Sequence, residues 1–238
     1  MMRRIGITLA MESELRLLEG GLGLEEQAGP GGFIFRRGVY RGIELVAVQS
    51  GIGKVNSALC AAAMISQCGL DCLVSTGVCG TLCADGSIAQ KDLILASSVR
   101  YHDVWCGSPN APGQVQGQPA VFETVGVDLA GLRTDISRLG YRVHVGRMAS
   151  GDWFVDSVQK AMDIAVTCPE ALGVDMESAS LAQTCHRYAV PFLSVRMVSD
   201  APLCPDAPSY EGFWAEAPGL LNGALKSVLD YFVDKWKR

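Results

Sequence analysis

The sequence predicts an α/β fold in which helices cover both faces of a largely parallel or mixed sheet. Short apolar strand candidates alternate with helix-like stretches along the 238 residues, an alternation that is typical of this class. Apolar residues make up 49% of the chain and charged residues only 19%, with 27 glycines, which suits strands that are buried on both faces. Because no low-complexity linker divides the chain, we expect residues 1–238 to form a single domain.

Apolar runs rich in β-branched residues predict the strands. The six main candidates cover residues 4–10, 43–49, 72–76, 93–98, 143–148 and 192–198. A weaker candidate over residues 33–40 is followed by Arg41-Gly42. We therefore expect it to form a hairpin with the strand that begins at residue 43.

Helical periodicity predicts six helices between and after these strands. They cover residues 12–19, 54–68, 127–139, 155–165, 176–188 and 213–235. The segment 101–123 is rich in Pro, Gly and Gln and is too long for an ordinary connection. It is predicted to be a functional or interface loop.

The charge balance argues against nucleic acid and membranes as partners. The formal net charge is −5 and the sequence pI is about 5.2, and we find no cluster of Lys and Arg that could neutralise phosphates. No run of 18 or more apolar residues suggests a membrane span. The N-terminal segment reaches a glutamate after a short apolar strand, which is unlike a signal peptide.

The nine cysteines are an odd number in a chain without a recognisable signal peptide. This pattern indicates reduced thiols and a cytoplasmic location. Cys68 and Cys72 form one CxxxC pair, and Cys79 and Cys83 form another. Zinc sites more often use CxxC or add histidines, and no histidine lies near these four cysteines. We expect neither a metal nor a cofactor.

Three isolated acidic residues lie at the ends of predicted elements. Glu12 follows the first strand in IGITLAMESE, Glu177 precedes a helix in VDMESAS, and Asp200 ends the strand in FLSVRMVSDAP. Ligands of open α/β sheets bind at the carboxyl ends of strands, so the three acids suggest acid–base chemistry on a small molecule. Each acid is also compatible with an ordinary helix-start or turn position.

Two glycine-bearing turns follow buried strands: SGIGKVNSA over residues 50–58 and STGVCGTL over residues 75–82. The first is not a Walker loop, because Val48 and Val55 replace the first glycine and the Ser or Thr of that motif. Free backbone N–H groups at such turns can hold a ligand, although tight packing alone would also explain them. Their position at neighbouring strand ends predicts a ligand crevice.

Seven motifs resemble, in order and over essentially the whole chain, those of the 5′-methylthioadenosine/S-adenosylhomocysteine nucleosidases. They are AMESE, SGIGKVNSA, STGVCGTL, YHDV, SGDWFV, VDMESASLAQTC and VRMVSDA. The resemblance implies a nucleoside phosphorylase-like fold, a three-layer α/β/α sandwich with a central mixed sheet, assembled as a homodimer. It also implies that water cleaves the N-glycosidic bond of a 5′-substituted purine nucleoside, releasing adenine and the ribose derivative.

The resemblance gives two acids a catalytic role. Asp200 would be the general acid at purine N7, and Glu12 would orient and deprotonate the water. Arg196 resembles the family arginine beside the water-binding acid, where its positive charge would favour the base form of Glu12. An arginine at the end of a strand can also simply pair with a nearby carboxylate.

The resemblance also implies a set of substrate-binding residues. Glu177 would accept hydrogen bonds from the ribose hydroxyls, Phe154 would stack on adenine, and the backbone of Val155 would read the edge of the base. The complete predicted set is Ile52, Phe154, Val155, Met176, Glu177, Val78 and Arg196.

Alternative functions remain open at this stage. Val78 stands where some relatives have a hydroxyl, and the loop after Asp103 is poor in aromatic residues. The resemblance therefore specifies the reaction class more closely than the 5′ substituent, and futalosine or aminodeoxyfutalosine hydrolysis is the main rival. A phosphate-dependent purine nucleoside phosphorylase is disfavoured, because a glutamate in the N-terminal turn would repel phosphate. A non-catalytic nucleoside-binding module on the same fold is the third alternative.

Overall fold

The computed structural model describes residues 2–15, 22–204, 210–213 and 218–237. Within these ranges one mixed sheet contains the strands β1 Arg4–Leu9, β2 Glu25–Ala28, β3 Ile34–Tyr40, β4 Ile43–Gln49, β5 Cys72–Thr81, β6 Leu93–Tyr101, β7 Phe122–Glu123, β8 Val143–Ser150, β9 Ala171–Asp175 and β10 Phe192–Asp200. The helices are α1 Lys54–Cys68, α2 Leu129–Ser137, α3 Val158–Thr167, α4 Ser178–Tyr188, α5 Tyr210–Phe213 and α6 Pro218–Trp236. Residues 12–15 form a helical turn, and Pro30–Gly32 form a 3₁₀ turn.

The six main strand predictions and the hairpin are confirmed. β3 pairs with β4 in antiparallel register, with Tyr40 opposite Ile43. Four strands, β5, β6, β8 and β10, continue beyond their predicted ends. Most of the added residues are small or polar but still pair with a neighbouring strand, as Gly80 of β5 does with Asp200 of β10. The segment STGVCGTL, predicted as a turn over residues 75–82, is therefore strand up to Thr81.

The helix predictions differ from the structure mainly at helix ends. α1 has the predicted bounds, whereas α3 begins at Val158 rather than at residue 155 because the Ser157 side chain caps the helix by accepting from the Lys160 N–H. Of the predicted helix over residues 213–235, Phe213 is the last residue of α5, residues 214–217 lie outside the described residues, and α6 covers the part from Pro218 onward. Of the predicted helix over residues 12–19, the part from residue 16 onward lies outside the described residues.

Three short strands, β2, β7 and β9, were not predicted from the sequence. β9 lies between β8 and β5 and has only five residues, ALGVD. A glycine in so short a run removes the apolar signal on which strand prediction depends. This strand is important because it carries Asp175 and leads directly to Glu177.

The strand order brings several strand ends together at one edge of the sheet. β1 lies between β4 and β5 and is parallel to both, and β5 is parallel to β10. The carboxyl ends of β4, β1, β5 and β10 therefore meet at the same edge. This is where a ligand site is expected in an α/β sheet.

Apolar cores on both faces of the sheet make the fold a three-layer α/β/α sandwich. Along β4, Leu45 belongs to the core that contains residues of α2 and α6, whereas Val46 belongs to the core that contains residues of α1 and α4. This alternation follows from the two-residue period of a strand. In the described ranges, none of the helices combines the length and hydrophobicity needed to cross a membrane.

Candidate active site

A cavity of about 130 Å³ lies at the edge where these strand ends meet. Seven of the nine residues predicted from the sequence line this cavity: Ile52, Val78, Phe154, Val155, Met176, Glu177 and Asp200. Arg196 lines a smaller neighbouring cavity of about 10 Å³. Glu12 does not line either cavity, and Glu14 lines both.

Asp200 reaches the cavity because β10 continues to this residue through an irregularity in its pairing with β5. One carboxylate oxygen, Oδ1, accepts a hydrogen bond from Ser199 Oγ at 2.6 Å. Burial raises the pKa of Asp200, and the hydrogen bond from Ser199 opposes this shift. The net upward shift favours the protonated form, which can donate a proton to a ligand.

Glu14 is almost completely buried at the site, with only 3% of the residue exposed. Its Oε2 atom accepts hydrogen bonds from the backbone N–H groups of Ala10 and Met11, both at 3.0 Å, and its Oε1 atom accepts from the Val78 N–H at 3.2 Å. Gly77 allows this approach, because a Cβ atom there would lie 2.5 Å from Glu14 Oε1. Burial raises the pKa of Glu14 despite these hydrogen bonds and the charge of Arg196.

Glu12 was predicted to lie at the site, but it is exposed outside both cavities. Residues 12–15 form a helical turn, in which Glu12 is exposed and Glu14 is buried. Because successive helical residues are rotated by about 100°, two residues separated by two positions lie on nearly opposite faces. The turn therefore directs Glu14 toward the sheet edge and Glu12 toward solvent, and Arg196 acts on Glu14.

Glu177 is also buried, and its Oε1 atom accepts a hydrogen bond from the backbone N–H of Gly53 at 2.9 Å. Burial and the nearby charge of Asp175 raise the pKa of Glu177 to about 7. The hydrogen bond joins the start of α4 to the turn before α1. The SGIGKVNSA and VDMESAS motifs thus meet at this carboxylate.

Arg196 is held by two partners that the sequence analysis did not single out. Its Nε atom donates to Asp175 Oδ2 at 2.8 Å, and its Nη2 atom donates to Ser75 Oγ at 2.8 Å. The arginine therefore forms a buried ion pair, which the sequence offered as the alternative to a site role, and it also lines the smaller cavity together with Glu14 and Glu177. That cavity has the volume of about one water molecule.

Aromatic residues form the outer wall of the larger cavity. Phe154 is 59% exposed, and its ring lies edge-on to the ring of Tyr210, with the centroids 6.1 Å apart. Trp153 also lines the cavity. Trp153 and Tyr210 are not among the residues predicted from the sequence, although Trp153 adjoins Phe154 in the SGDWFV motif. A partly exposed aromatic wall suits a planar ligand that stacks.

The ionisable side chains that line the cavity are acidic. Four carboxylates line it, those of Glu14, Asp175, Glu177 and Asp200. In the part of the chain that the structure describes, no group of three or more His, Cys, Asp or Glu residues is arranged to hold a metal ion. The raised pKa values of Asp200 and Glu14 instead provide two groups that can exchange protons with a ligand.

Comparisons with known proteins agree with this architecture. The family model described as "Phosphorylase superfamily" matches residues 4–225. The 5′-methylthioadenosine/S-adenosylhomocysteine nucleosidase of Staphylococcus haemolyticus is 34% identical over 226 residues, which cover 94% of this chain and 98% of that protein. The Staphylococcus aureus (strain MRSA252) nucleosidase of the same name is 33% identical over 214 residues, which cover 90% of this chain and 93% of that protein.

Solved structures give the same result. The S-adenosylhomocysteine nucleosidase from Streptococcus pyogenes, in complex with 5-methylthiotubericidin, matches with a TM-score of 0.87 and 31% identity over 96% of each chain. The Neisseria meningitidis nucleosidase in complex with methylthio-immucillin-A matches with a TM-score of 0.86 and 31% identity, over 95% of this chain and 98% of that chain. Futalosine hydrolase of Helicobacter pylori matches with a TM-score of 0.85 and 30% identity, over 97% of this chain and 99% of that chain.

Proposed function

The chain belongs to the phosphorylase superfamily, among the 5′-methylthioadenosine/S-adenosylhomocysteine nucleosidases, and from this premise we propose that it hydrolyses the N-glycosidic bond of 5′-substituted adenine nucleosides. The products are adenine and the ribose derivative. One observation carries the proposal: Glu14, Glu177 and Asp200 line a single cavity that also has an aromatic wall.

Asp200 is the general acid in this mechanism. Cleavage of the N-glycosidic bond develops positive charge on the ribose and negative charge on the departing purine, so a proton delivered to N7 stabilises the leaving group. The raised pKa of Asp200 keeps a proton available at a pH where an exposed aspartate is ionised. Asp200, at the end of β10, lines the same cavity as Phe154, and Phe154 stacks on the base.

Glu14 is the general base, in place of Glu12. Its raised pKa brings this carboxylate closer to neutral pH, where a general base is most effective. The small cavity that Glu14 shares with Glu177 and Arg196 holds the attacking water. Arg196, fixed by Asp175 and Ser75, orients that water and balances part of the negative charge.

The remaining residues bind the substrate. Glu177, after Met176, accepts hydrogen bonds from the ribose hydroxyls, and these bonds strengthen as positive charge develops on the sugar. The backbone of Val155 reads the edge of the adenine. Ile52 and Val78 provide apolar surface around the sugar and its 5′ substituent.

Product analysis with and without phosphate tests this function. Incubation with 5′-methylthioadenosine should release adenine and a free ribose sugar at a rate that phosphate does not change, because the buried Glu14 carboxylate repels a phosphate dianion. Mass spectrometry distinguishes the free sugar from the ribose 1-phosphate that a phosphorylase would form. Formation of the sugar phosphate, or no turnover of any nucleoside, would contradict the proposal.

Two further substrates in the same assay test the assigned binding roles. A 2′-deoxy analogue should react much more slowly, because it lacks a hydroxyl that Glu177 holds, and an equal rate would remove the ribose role from Glu177.

Futalosine is included because the Helicobacter pylori futalosine hydrolase is a structural neighbour. A higher kcat/KM for futalosine than for 5′-methylthioadenosine would reassign the preferred substrate.

The functional unit in this proposal is a homodimer that pairs through α1 and α4. These helices pack on each other, and their outer surface includes Val55, Leu59 and Tyr188, which are 69%, 59% and 49% exposed. A contiguous exposed apolar surface is typical of a protein interface. Sedimentation should give twice the chain mass of 25.3 kDa, and Leu59→Glu should shift the protein to the monomer; a monomeric wild type would contradict this part of the proposal.

A further inference from the structure

A cluster of three charged residues lies beside the cavity and has no role in the mechanism above. It consists of Lys54, Asp103 and Asp152, whose side chains are 26%, 8% and 45% exposed. Lys54 is the first residue of α1, Asp103 lies two residues beyond the end of β6, and Asp152 lies two residues beyond the end of β8. The three residues therefore come from three separate connections at the ligand-binding edge.

The hydrogen bonds of the cluster join these connections through two carboxylates. Asp103 Oδ2 accepts from Lys54 Nζ at 2.6 Å and from the Asp152 backbone N–H at 2.8 Å. Asp152 Oδ1 in turn accepts from the Lys54 backbone N–H at 2.8 Å. A nearly buried carboxylate with a charge-assisted partner holds its geometry more firmly than an exposed ion pair does.

Two of the connections carry groups of the proposed site. The loop that begins at Asp152 continues to Phe154 and Val155, the residues assigned to the base. The turn that precedes Lys54 contains Gly53, whose N–H donates to Glu177 at 2.9 Å. The cluster thus lies between the base side and the ribose side of the cavity and contacts the backbone of both.

Close packing around Gly151 restricts the same loop. A Cβ atom at Gly151 would lie 2.6 Å from His102 Nε2 and 2.8 Å from Asp103 Oδ1. The His102 ring lies edge-on to the ring of Trp153, with the centroids 5.4 Å apart. The loop that carries the base-binding residues is therefore held both by packing against His102 and Asp103 and by the hydrogen bond that Asp103 accepts from the Asp152 N–H.

We propose that Asp103, with Lys54 as its counter-ion, is a positioning residue that fixes the base-binding loop relative to the ribose carboxylate Glu177. The inference rests on the proposed nucleosidase function. Asp103 acts on binding rather than on bond cleavage, because its contacts are to Lys54 and Asp152, and Glu14 and Asp200 are held by other residues. Loss of this carboxylate should weaken the binding of the substrate and of the transition state equally, which raises KM and leaves kcat unchanged.

The test compares Asp103→Asn, Lys54→Met and the double variant. In each single variant we expect KM for 5′-methylthioadenosine and the dissociation constant of adenine to rise about tenfold, the range of one charge-assisted hydrogen bond, with kcat within about threefold of wild type. The double variant should lose little more than either single variant, because both substitutions remove the same ion pair. Adenine binding is measured by calorimetry, so this readout does not depend on turnover.

Asp71→Asn provides the matched control, because Asp71 also accepts from a charged side chain and a backbone N–H, those of Arg3 and Arg4, at 2.7 and 2.8 Å. It lines neither cavity and should leave KM and adenine affinity unchanged. Unchanged adenine affinity in Asp103→Asn, or a fall in kcat at constant KM, would overturn the inference. If Asp103→Asn does not fold, Lys54→Met tests the inference instead, because the Lys54 side chain is partly exposed. Unchanged adenine affinity or a fall in kcat at constant KM in that variant would likewise overturn it. A wild-type protein that neither binds adenine nor cleaves the nucleoside would instead contradict the proposed function.

Discussion

Replacing Asp200 by Asn should lower kcat by about 10² to 10⁴, the usual contribution of general acid catalysis. The amide has nearly the same size as the carboxyl group and can still accept a hydrogen bond from Ser199, but it cannot supply a proton to purine N7. Nucleoside affinity should therefore change little. The measurement is steady-state kinetics with 5′-methylthioadenosine, together with calorimetric binding of adenine to the variant.

The pH profile separates loss of the acid from damage to the site. In the wild type, kcat should fall as the pH rises through the raised pKa of Asp200, because only the protonated form donates. Ser199→Ala removes the hydrogen bond that opposes the shift, so the pKa of Asp200 should rise further and this alkaline limb should move to higher pH. Activity of Asp200→Asn within tenfold of wild type would remove Asp200 from the mechanism.

The strands that form the site could be predicted because their apolar runs end in a few polar residues. β10 is the clearest example, since its apolar run breaks at Ser199 and Asp200. The glycine-bearing segment STGVCGTL of its parallel neighbour was wrongly predicted as a turn, because residues 75–81 continue β5 as a strand. Strand ends of this kind are local signals, and a single sequence is sufficient to reveal them. The assignment of Ile52 and Phe154 to the site came instead from the resemblance of the motifs to the nucleosidase family.

The choice between Glu12 and Glu14 required the structure. The segment AMESE offers two acids separated by one residue, and the direction in which each points depends on where the helical turn begins. A shift of that starting point by two residues would exchange the buried and the exposed acid. Asp175 was missed for a related reason, because β9 is short and its partners are distant in sequence.

Replacing Glu14 by Gln should reduce turnover as severely as the loss of Asp200, by about 10² to 10⁴. The glutamine amide cannot remove a proton from the water that lies between Glu14 and Arg196. Its oxygen can still accept from the N–H groups of Ala10 and Met11, although its NH₂ group then faces the Val78 N–H and that hydrogen bond is lost. A single-turnover experiment with enzyme in excess should detect bound nucleoside but little or no released adenine.

Glu12→Gln is the matched control, because it makes the same chemical change two residues away on the exposed side of the turn. It should retain wild-type kcat and KM, since Glu12 lines neither cavity. Thermal unfolding of both variants checks that the Glu14→Gln effect does not come from unfolding, because the unpaired Val78 N–H should lower stability by about 1 to 3 kcal/mol. A large loss in Glu12→Gln with near-normal activity in Glu14→Gln would return the base to Glu12. It would also require a structure in which the helical turn begins at a different residue.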